Sequence, residues 1–278
     1  MTEVLVYAHS SQADVARGAL AAACAATGAT ARLDVYGSGS LYQRLGPRRA
    51  QPWPDLVWWF GPFAARAAGL DGLLQPYQPK STADAAPHDP DWKWTTVQYA
   101  ATTVIGDGVT RWDDLTTVPR LAIADPERSE VGLIALLASL DRARQVDGDA
   151  ERGWSWWQQR ATRGLLLTED DAEALARVQA GTATHALTLS SGGIPLAGLP
   201  LVPHAIGVAA TSRNLEGARL LLDWLVSEAA AEHLPGSAWR AAGSPQSGPL
   251  LDVDWGRQQY VAVRQRWAGS GFGPTLDA

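Results

Sequence analysis

The stretch VLVYAHSS, residues 4–11, is followed by an alanine-rich segment at residues 12–26. Residues 4–7 form an apolar run of strand length, and Ser10 and Ser11 are of a type that often begins helices. The segment 12–26 contains no proline and only one glycine, so it can continue as a helix. This order predicts a strand, a short capped loop and a helix.

The same unit repeats downstream. Residues 33–36 (LDVY) alternate in polarity as a strand does, and residues 37–40 (GSGS) supply a turn and an N-cap before a short helix at 41–45. Residues 55–60 (DLVWWF) predict a third strand, and residues 63–68 a helix with proline in its first turn. Strands that alternate with helices predict a parallel or mixed α/β sheet.

The alternation resumes after residues 73–94, a proline-rich stretch that predicts a long loop. The sequence TEDD at residues 168–171 matches a capping box at a helix start. We predict strands at residues 97–105, 121–124, 165–167, 185–189 and 206–211, and helices at 131–140, 153–162, 170–180, 219–227 and 255–267.

Composition narrows the class of protein. The 278 residues suit one large domain or two lobes of about 140 residues. A hydrophobic content of 46% with 19% charged residues is typical of globular proteins and argues against disorder. The net charge of −6 argues against nucleic-acid binding, and no apolar run approaches the roughly 18 residues of a membrane helix.

Motifs for common enzymes are missing from the sequence. It contains no G-x-S-x-G, P-loop or HExxH motif, and Cys24, its single cysteine, excludes an internal disulfide and CxxC metal sites. His204 and His233 have no metal-ligand spacing to another histidine or carboxylate. We therefore expect no enzymatic activity, no cofactor and no resident metal.

The order of the segments resembles the type II solute-binding proteins of ABC importers, in the subgroup of iron, thiamine, polyamine, phosphonate and sugar-phosphate binders. The resemblance covers nearly the whole chain. Its landmarks are VY (6–7), PDLVW (54–58), GLLQPY (72–77), WDDL (112–115), IADP (123–126), ERGWSWW (151–157), GTA (181–183) and ARLLLDWL (218–225).

The resemblance implies a two-lobed α/β fold. Each lobe would have a mixed, mostly parallel sheet flanked by helices, and a solute would lie in the cleft between the lobes, which close by a hinge motion. Lobe one would comprise residues 1–103 and 207–278, lobe two residues 104–206, and the crossing strands would lie near 99–106 and 203–208. The implied function is the substrate-binding component of an ABC transporter.

Ligands of open α/β sheets bind outside the carboxyl ends of the strands, where helix N-termini present free N–H groups. Three loops meet this criterion and favour a phosphate, phosphonate or carboxylate, although their serines equally fit plain N-caps. They are His9, Ser10 and Ser11 after the first strand, Ser38, Gly39 and Ser40 after the second, and Arg128, Ser129 and Glu130 at a helix start in lobe two.

Aromatic and small polar residues complete the candidate site. Trp59, Phe60 and Gly61 end the third strand, where an aromatic ring can stack on a ligand or pack in the core. The other candidates are Tyr99, near the first crossing strand, and Ser190 and Ser191, in a loop of lobe two that fits either a solute contact or a turn. We expect Trp154, Trp156 and Trp157 to pack on the sheet.

The predicted ligand is a small polar solute, anionic or phosphorus-bearing. Proteins of the iron-binding branch resemble one another in having tyrosines at the lobe-two loop. This chain has Thr188, Ser190 and Ser191 there. Ferric iron is therefore disfavoured and is the alternative ligand, although His9 lies where some iron binders have a histidine. Glu130 would repel an anion unless it faces away or pairs with an ammonium group, so a zwitterion such as an aminophosphonate also fits.

Two other functions remain open at this point: a ligand sensor outside transport, and a transferase on the same fold. The N-terminus shows no basic region followed by an apolar segment. We expect a periplasmic or extracellular monomer, lipid-anchored or secreted, whose signal peptide is absent from this sequence, and which partners ABC permease subunits.

Overall fold

The computed structural model describes residues 3–37, 41, 43–45, 52–58, 61–80, 82, 86–190, 196–235 and 250–272. The strands are β1 (Val4–His9), β2 (Ala31–Tyr36), β3 (Leu56–Trp58), β4 (Leu74–Gln75), β5 (Thr95–Ile105), β6 (Leu121–Ala124), β7 (Leu165–Thr168), β8 (His185–Ser190) and β9 (Val202–Ala209). The helices are α1 (Ala13–Thr27), α2 (Pro62–Leu70), α3 (Glu130–Asp147), α4 (Glu151–Ala161), α5 (Asp171–Gln179), α6 (Leu215–Leu225) and α7 (Val253–Gly269). Short 3-10 helices span Ser10–Gln12, Trp112–Thr117 and Glu228–Glu232.

The chain forms two compact units. Unit 1 comprises Met1–Tyr99 and Pro203–Ser247, and unit 2 comprises Ala100–Val202 and Gly248–Ala278. The resemblance places residues 207–278 in lobe one, whereas the C-terminal helix α7 packs within unit 2. Trp267 Nε1 donates to Asp125 Oδ1 at 3.1 Å, and Arg266 pairs with Glu151 at 2.5 Å. These contacts tie α7 to the β6–α3 loop and to α4.

The sheet of unit 1 is mixed, as the repeated strand–helix pattern predicts. Strand β1 pairs in parallel with β2 and β3, while β9 runs antiparallel to β3 and also pairs with β4. Helices α1 and α6 pack on one face of this sheet. Their buried residues are mostly alanine and leucine, and small alanine side chains let α1 approach the strands closely.

The sheet of unit 2 has the order β5-β8-β6-β7. Strands β6, β7 and β8 run parallel, and β5 runs antiparallel to β8. Helix α3 is buried along most of its length. A Cβ on Gly132 would lie 2.0 Å from the Ala124 carbonyl oxygen, so glycine is required for this close approach.

The start of α5 corrects one expectation. The N-cap is Asp170, which accepts a hydrogen bond from Glu173 N, and Glu173 accepts one in return from Glu169 N. Thr168 instead ends β7, and its hydroxyl donates to the carbonyl of Ile123. The cap predicted at residues 168–171 is therefore made two residues later by Asp170, because the Thr168 hydroxyl donates to the carbonyl of Ile123 at the end of β7.

Candidate functional site

His9 is the last residue of β1 and is buried. Its Nδ1 accepts a hydrogen bond from Ser11 N at 3.2 Å and lies 2.8 Å from Ser11 Oγ. The imidazole thus caps the 3-10 helix that Ser10 begins, a role that the sequence analysis allowed for the serines. Burial lowers the pKa of His9 to about 4, so at neutral pH the ring is uncharged and carries its proton on Nε2.

A second histidine lies close to His9 in unit 1. His204, in β9, is fully buried. Burial is the larger cause, and the nearby His9 the smaller one, of a lowering of its pKa to about 3. Gln98 Nε2 donates to His204 Nδ1 at 2.8 Å and to Gln12 Oε1 at 2.5 Å. These contacts gather His9, Gln12, Gln98 and His204 into what we call the neutral cluster.

The neutral cluster has an unmet hydrogen-bonding group. Gln98 Oε1 is buried and has no partner among the described residues. The indole N–H of Trp58, the last residue of β3, is likewise buried without an acceptor in the described part of the chain. Neither residue is predicted as a site residue from the sequence, because both lie within strands and not in a loop or beside a helix start.

Tyr99 lies in β5 and is buried, and this burial raises the pKa of its phenol to about 12. Gly61 is the N-cap of α2, whose first residue is Pro62, as the proline predicted. The remaining unit 1 candidates, Ser38, Gly39, Ser40, Trp59 and Phe60, lie outside the described residues.

In unit 2, Ser129 is the N-cap of α3, and its Oγ accepts a hydrogen bond from Gly132 N at 3.5 Å. The neighbouring Arg128 is exposed, and its Nε lies 3.8 Å from Asp125 Oδ2. Asp125 is held in place by Glu127 N and by the indole of Trp267. A guanidinium and the N-terminal end of an 18-residue helix therefore share the carboxyl end of β6.

Glu130 begins α3 and is buried. It lies near Tyr260 of α7, since burial and then the charge of Glu130 raise the pKa of that phenol to about 12. Glu130 is therefore close to the C-terminal helix of the same unit.

A further carboxylate lies at the carboxyl end of the unit 2 strands. Asp171 begins α5, three residues after the last residue of β7, and its Oδ2 accepts a hydrogen bond from Leu189 N at 3.3 Å. Its Oδ1 is shielded from solvent and has no partner in the described part of the chain. Burial, followed by the charge of Asp170, raises the pKa of Asp171 to about 7, so the carboxyl can donate or accept a proton near neutral pH.

Strands β6 and β7 pair in parallel with Ala124 opposite Thr168. Ser129 and Asp171, which follow these strands, therefore stand at one sheet edge. At the same edge Ser190 ends β8, while Ser191 lies outside the described residues. Two residues earlier in β8, Thr188 shares a buried hydrogen bond of 2.9 Å with Thr103 of β5.

The tryptophan-rich helix α4 packs inside unit 2. Trp154 and Trp157 are buried, and Trp157 Nε1 donates to Ser139 Oγ at 2.8 Å. Trp157 also meets Trp267 edge to face at 5.5 Å. Trp154 and Trp157 therefore pack inside unit 2, but these contacts of Trp157 are with helices α3 and α7 and not with the sheet, on which the sequence predicted them to pack.

Solved structures identify the fold. The chain aligns with apo ferric ion-binding protein A from Pasteurella haemolytica at 12% identity and a TM-score of 0.73, over 100% of both chains. The chain has the type II fold of the periplasmic binding proteins. The periplasmic binding protein AfuA from Actinobacillus pleuropneumoniae, with exogenous fructose-6-phosphate bound, aligns at 16% identity and a TM-score of 0.70, over 97% of this chain and 98% of that one.

A third structure with the periplasmic-binding-protein fold is Trichodesmium IdiA (FutA) in complex with iron and citrate. It aligns at 15% identity and a TM-score of 0.71, over 98% of this chain and 100% of that one. Neither a protein-family model nor a curated protein matches the sequence. The predicted fold class is confirmed, and identities this low establish the fold alone.

Among the described residues, no helix has the length and hydrophobicity that a membrane span requires. Among the same residues, no group of three or more histidine, cysteine, aspartate or glutamate side chains is arranged to hold a metal ion.

Proposed function

We propose that this chain is the solute-binding component of an ABC importer. The observation that carries the proposal is the alignment with periplasmic binding proteins over 97–100% of this chain. Binding proteins of this class work outside the cytoplasmic membrane, capture a small ligand and deliver it to permease subunits. We extend this role, as a monomeric and non-enzymatic receptor, to the present chain.

We propose further that the solute is small and polar and carries a phosphate or phosphonate group. The exposed guanidinium of Arg128 and the first N–H groups of α3 favour an oxyanion at the carboxyl end of β6. One structure of the same fold holds fructose-6-phosphate, which agrees with this class of ligand.

A second polar group of the solute would meet Asp171. Because Oδ1 of this carboxyl has no partner in the described part of the chain, an ammonium or hydroxyl group would satisfy it. An aminophosphonate or a sugar phosphate provides both groups, so Arg128 and Asp171 would recognise opposite ends of one molecule.

Ferric iron is the second candidate, because two structures of the same fold are iron-binding proteins. The neutral imidazole of His9 is chemically able to ligate a metal. Phenolate oxygens suit ferric iron better, yet Tyr99 has a pKa raised to about 12, which disfavours its ionised form.

The proposal is tested by a thermal-shift screen of ligand-stripped protein. The panel contains phosphate, 2-aminoethylphosphonate, fructose-6-phosphate, thiamine phosphate, spermidine and ferric citrate. A ligand that binds only the native state raises the melting temperature by mass action. We expect a rise with a phosphorus-bearing compound, and calorimetry would then give its affinity and show the absence of turnover.

Matched arginine variants locate the site. Arg128→Gln should weaken the solute at least tenfold, since it removes a charge-assisted contact. Arg152→Gln is the control, because both side chains are about two-thirds exposed and both pair with an aspartate at nearly 4 Å. Equal affinities in the two variants would exclude the Arg128 site, while a panel without any stabilising compound would count against the transport role itself.

A further inference from the structure

Unit 2 contains a small surface depression lined by Thr116, Trp156, Gln159, Arg160 and Arg163. It lies where β6 and β7 begin. Arg160 donates to the carbonyls of Val118 and Gly164, and Gly164 O also accepts a hydrogen bond from Leu121 N, the first residue of β6. Because β6 and β7 are parallel, this edge of the sheet is opposite to the edge where Ser129 and Asp171 stand.

The depression carries the positive charge of two arginines, and no acidic side chain among the described residues pairs with either of them. Arg160 is 2% exposed, and its two Nη atoms donate only to backbone carbonyls. Neither Arg160 nor Arg163 forms an ion pair within the described ranges, whereas Arg142 and Arg266 of the same unit each pair with a carboxylate. Burial, and then the charge of Arg163, lower the pKa of Arg160. Two neighbouring guanidinium groups without a counter-ion cost free energy that an anion would offset.

Two residues that line the depression carry unused hydrogen-bond donors. Arg160 Nε and Trp156 Nε1 are both buried and without an acceptor among the residues that the structure describes. Arg163 makes one long contact, from Nη1 to Thr116 O at 3.5 Å, which leaves most of its exposed guanidinium available. The ring of Trp156 packs against the rings of Trp112 and Trp157, with centroid distances of 4.1 and 4.8 Å, so its N–H has a defined direction.

We propose that this depression is an anion-binding pocket, distinct from the solute site, that takes one oxyanion group such as a phosphate or a carboxylate. Arg163 supplies a two-pronged contact, Arg160 supplies buried charge, and Trp156 donates a neutral hydrogen bond. The group belongs either to a free oxyanion or to an acidic side chain of another protein. Acetate reproduces the carboxylate of an aspartate, so acetate and inorganic phosphate separate these two sources.

The pocket is tested by the indole N–H resonances of the ¹⁵N-labelled protein. The chain has 13 tryptophans, and the resonance that disappears in Trp156→Phe assigns Trp156. Phosphate and acetate are titrated separately at pH 7, with chloride holding the ionic strength constant. We expect the Trp156 resonance to shift and saturate, and Arg163→Gln to weaken that response at least tenfold. Tighter binding of phosphate indicates a free oxyanion, and tighter binding of acetate indicates a protein carboxylate.

Arg177→Gln is the control variant, since Arg177 is also exposed in unit 2 but is paired with Glu173 at 2.9 Å. It should respond like the unmodified protein. The proposal is overturned if neither anion moves the Trp156 resonance beyond the chloride baseline, or if Arg163→Gln responds with unchanged affinity. Arg163 is exposed, so its substitution should leave the melting temperature nearly unchanged.

Discussion

Gln98 Nε2 donates to His204 Nδ1 at 2.8 Å, and both side chains are completely buried. This bond fixes the proton of His204 on Nε2 and stabilises the neutral ring, which burial also favours. With His9 also neutral, the polar groups gathered at the end of β1 carry no charge at pH 7. The charged candidate residues Arg128 and Asp171 belong to unit 2.

The neutral cluster predicts sensitivity to acid. The folded pKa values of His9 and His204, about 4 and about 3, lie below the ordinary value of 6.5. Between pH 6.5 and 4 the unfolded chain therefore binds more protons than the native one, so stability is complete above pH 6.5 and falls as the pH drops. His204→Gln should reduce this slope by up to about 1.4 kcal/mol per pH unit, measured by urea unfolding at several pH values.

The slope, rather than the absolute stability, is compared, because the substitution also disturbs packing. His233→Gln is the control, since His233 is exposed and lies outside the cluster. An unchanged slope in His204→Gln would show that this histidine is protonated in the native state.

Asp171 predicts the opposite trend. Its folded pKa of about 7 exceeds the ordinary 3.8, so the native state binds more protons than the unfolded chain between these values. Stability from this group is present below about pH 4 and is lost as the pH rises through 7. Asp171→Asn should therefore stabilise the protein at pH 8 and change it little at pH 4, because asparagine can still accept from Leu189 N.

Thermal unfolding at the two pH values measures this difference, with Glu169→Gln as an exposed control. Solute binding gives a second readout. Affinity for a ligand with an ammonium group should increase from pH 6 to 8 in the unmodified protein, and this increase should vanish in Asp171→Asn. Equal stabilisation at both pH values would mean that Asp171 does not titrate in this range.

Asp55 is predicted to be a major structural residue of unit 1. Its Oδ1 accepts hydrogen bonds from Ser212 Oγ at 2.7 Å and from the backbone N–H groups of Arg213 and Asn214, and its Oδ2 accepts one from Leu5 N at 2.9 Å. Asp55→Asn would turn an amide donor toward one of these donors. We expect it to lower the free energy of unfolding by about 3 kcal/mol, measured by chemical denaturation.

Two variants calibrate that value. Ser212→Ala removes a single hydrogen bond and should cost about 1 kcal/mol, while Asp14→Asn changes an exposed carboxylate and should have almost no effect. A cost for Asp55→Asn no larger than that for Ser212→Ala would show that the backbone bonds contribute little.

Features that depend on neighbouring residues, such as strands, helices and helix caps, are predictable from the sequence. Apolar runs and turn residues are sufficient to place β1 and α1, and the N-cap at Ser129 follows from its residue type. The neutral cluster is not predictable in this way, because Gln98 lies 86 residues from Gln12 and 106 from His204. The different roles of Asp170 and Asp171 are also not predictable from residue type. Asp170 caps α5 and Asp171 contacts Leu189 N, because the helix begins between them.

Two glycines within helices should respond in opposite ways to alanine. A Cβ on Gly132 would meet the carbonyl oxygen of Ala124 at 2.0 Å, and backbone atoms cannot move aside as a flexible side chain can. Gly132→Ala would therefore push α3 away from β6 and should destabilise the protein by about 3 kcal/mol. A Cβ on Gly18 of α1 would meet no atom within 4 Å, so Gly18→Ala should stabilise it by about 0.5 to 1 kcal/mol through the lower backbone entropy of the unfolded chain. Urea unfolding of both variants measures the difference. Because both changes add the same methyl group within a helix, equal effects would mean that the close approach of α3 to β6 is relieved at little cost.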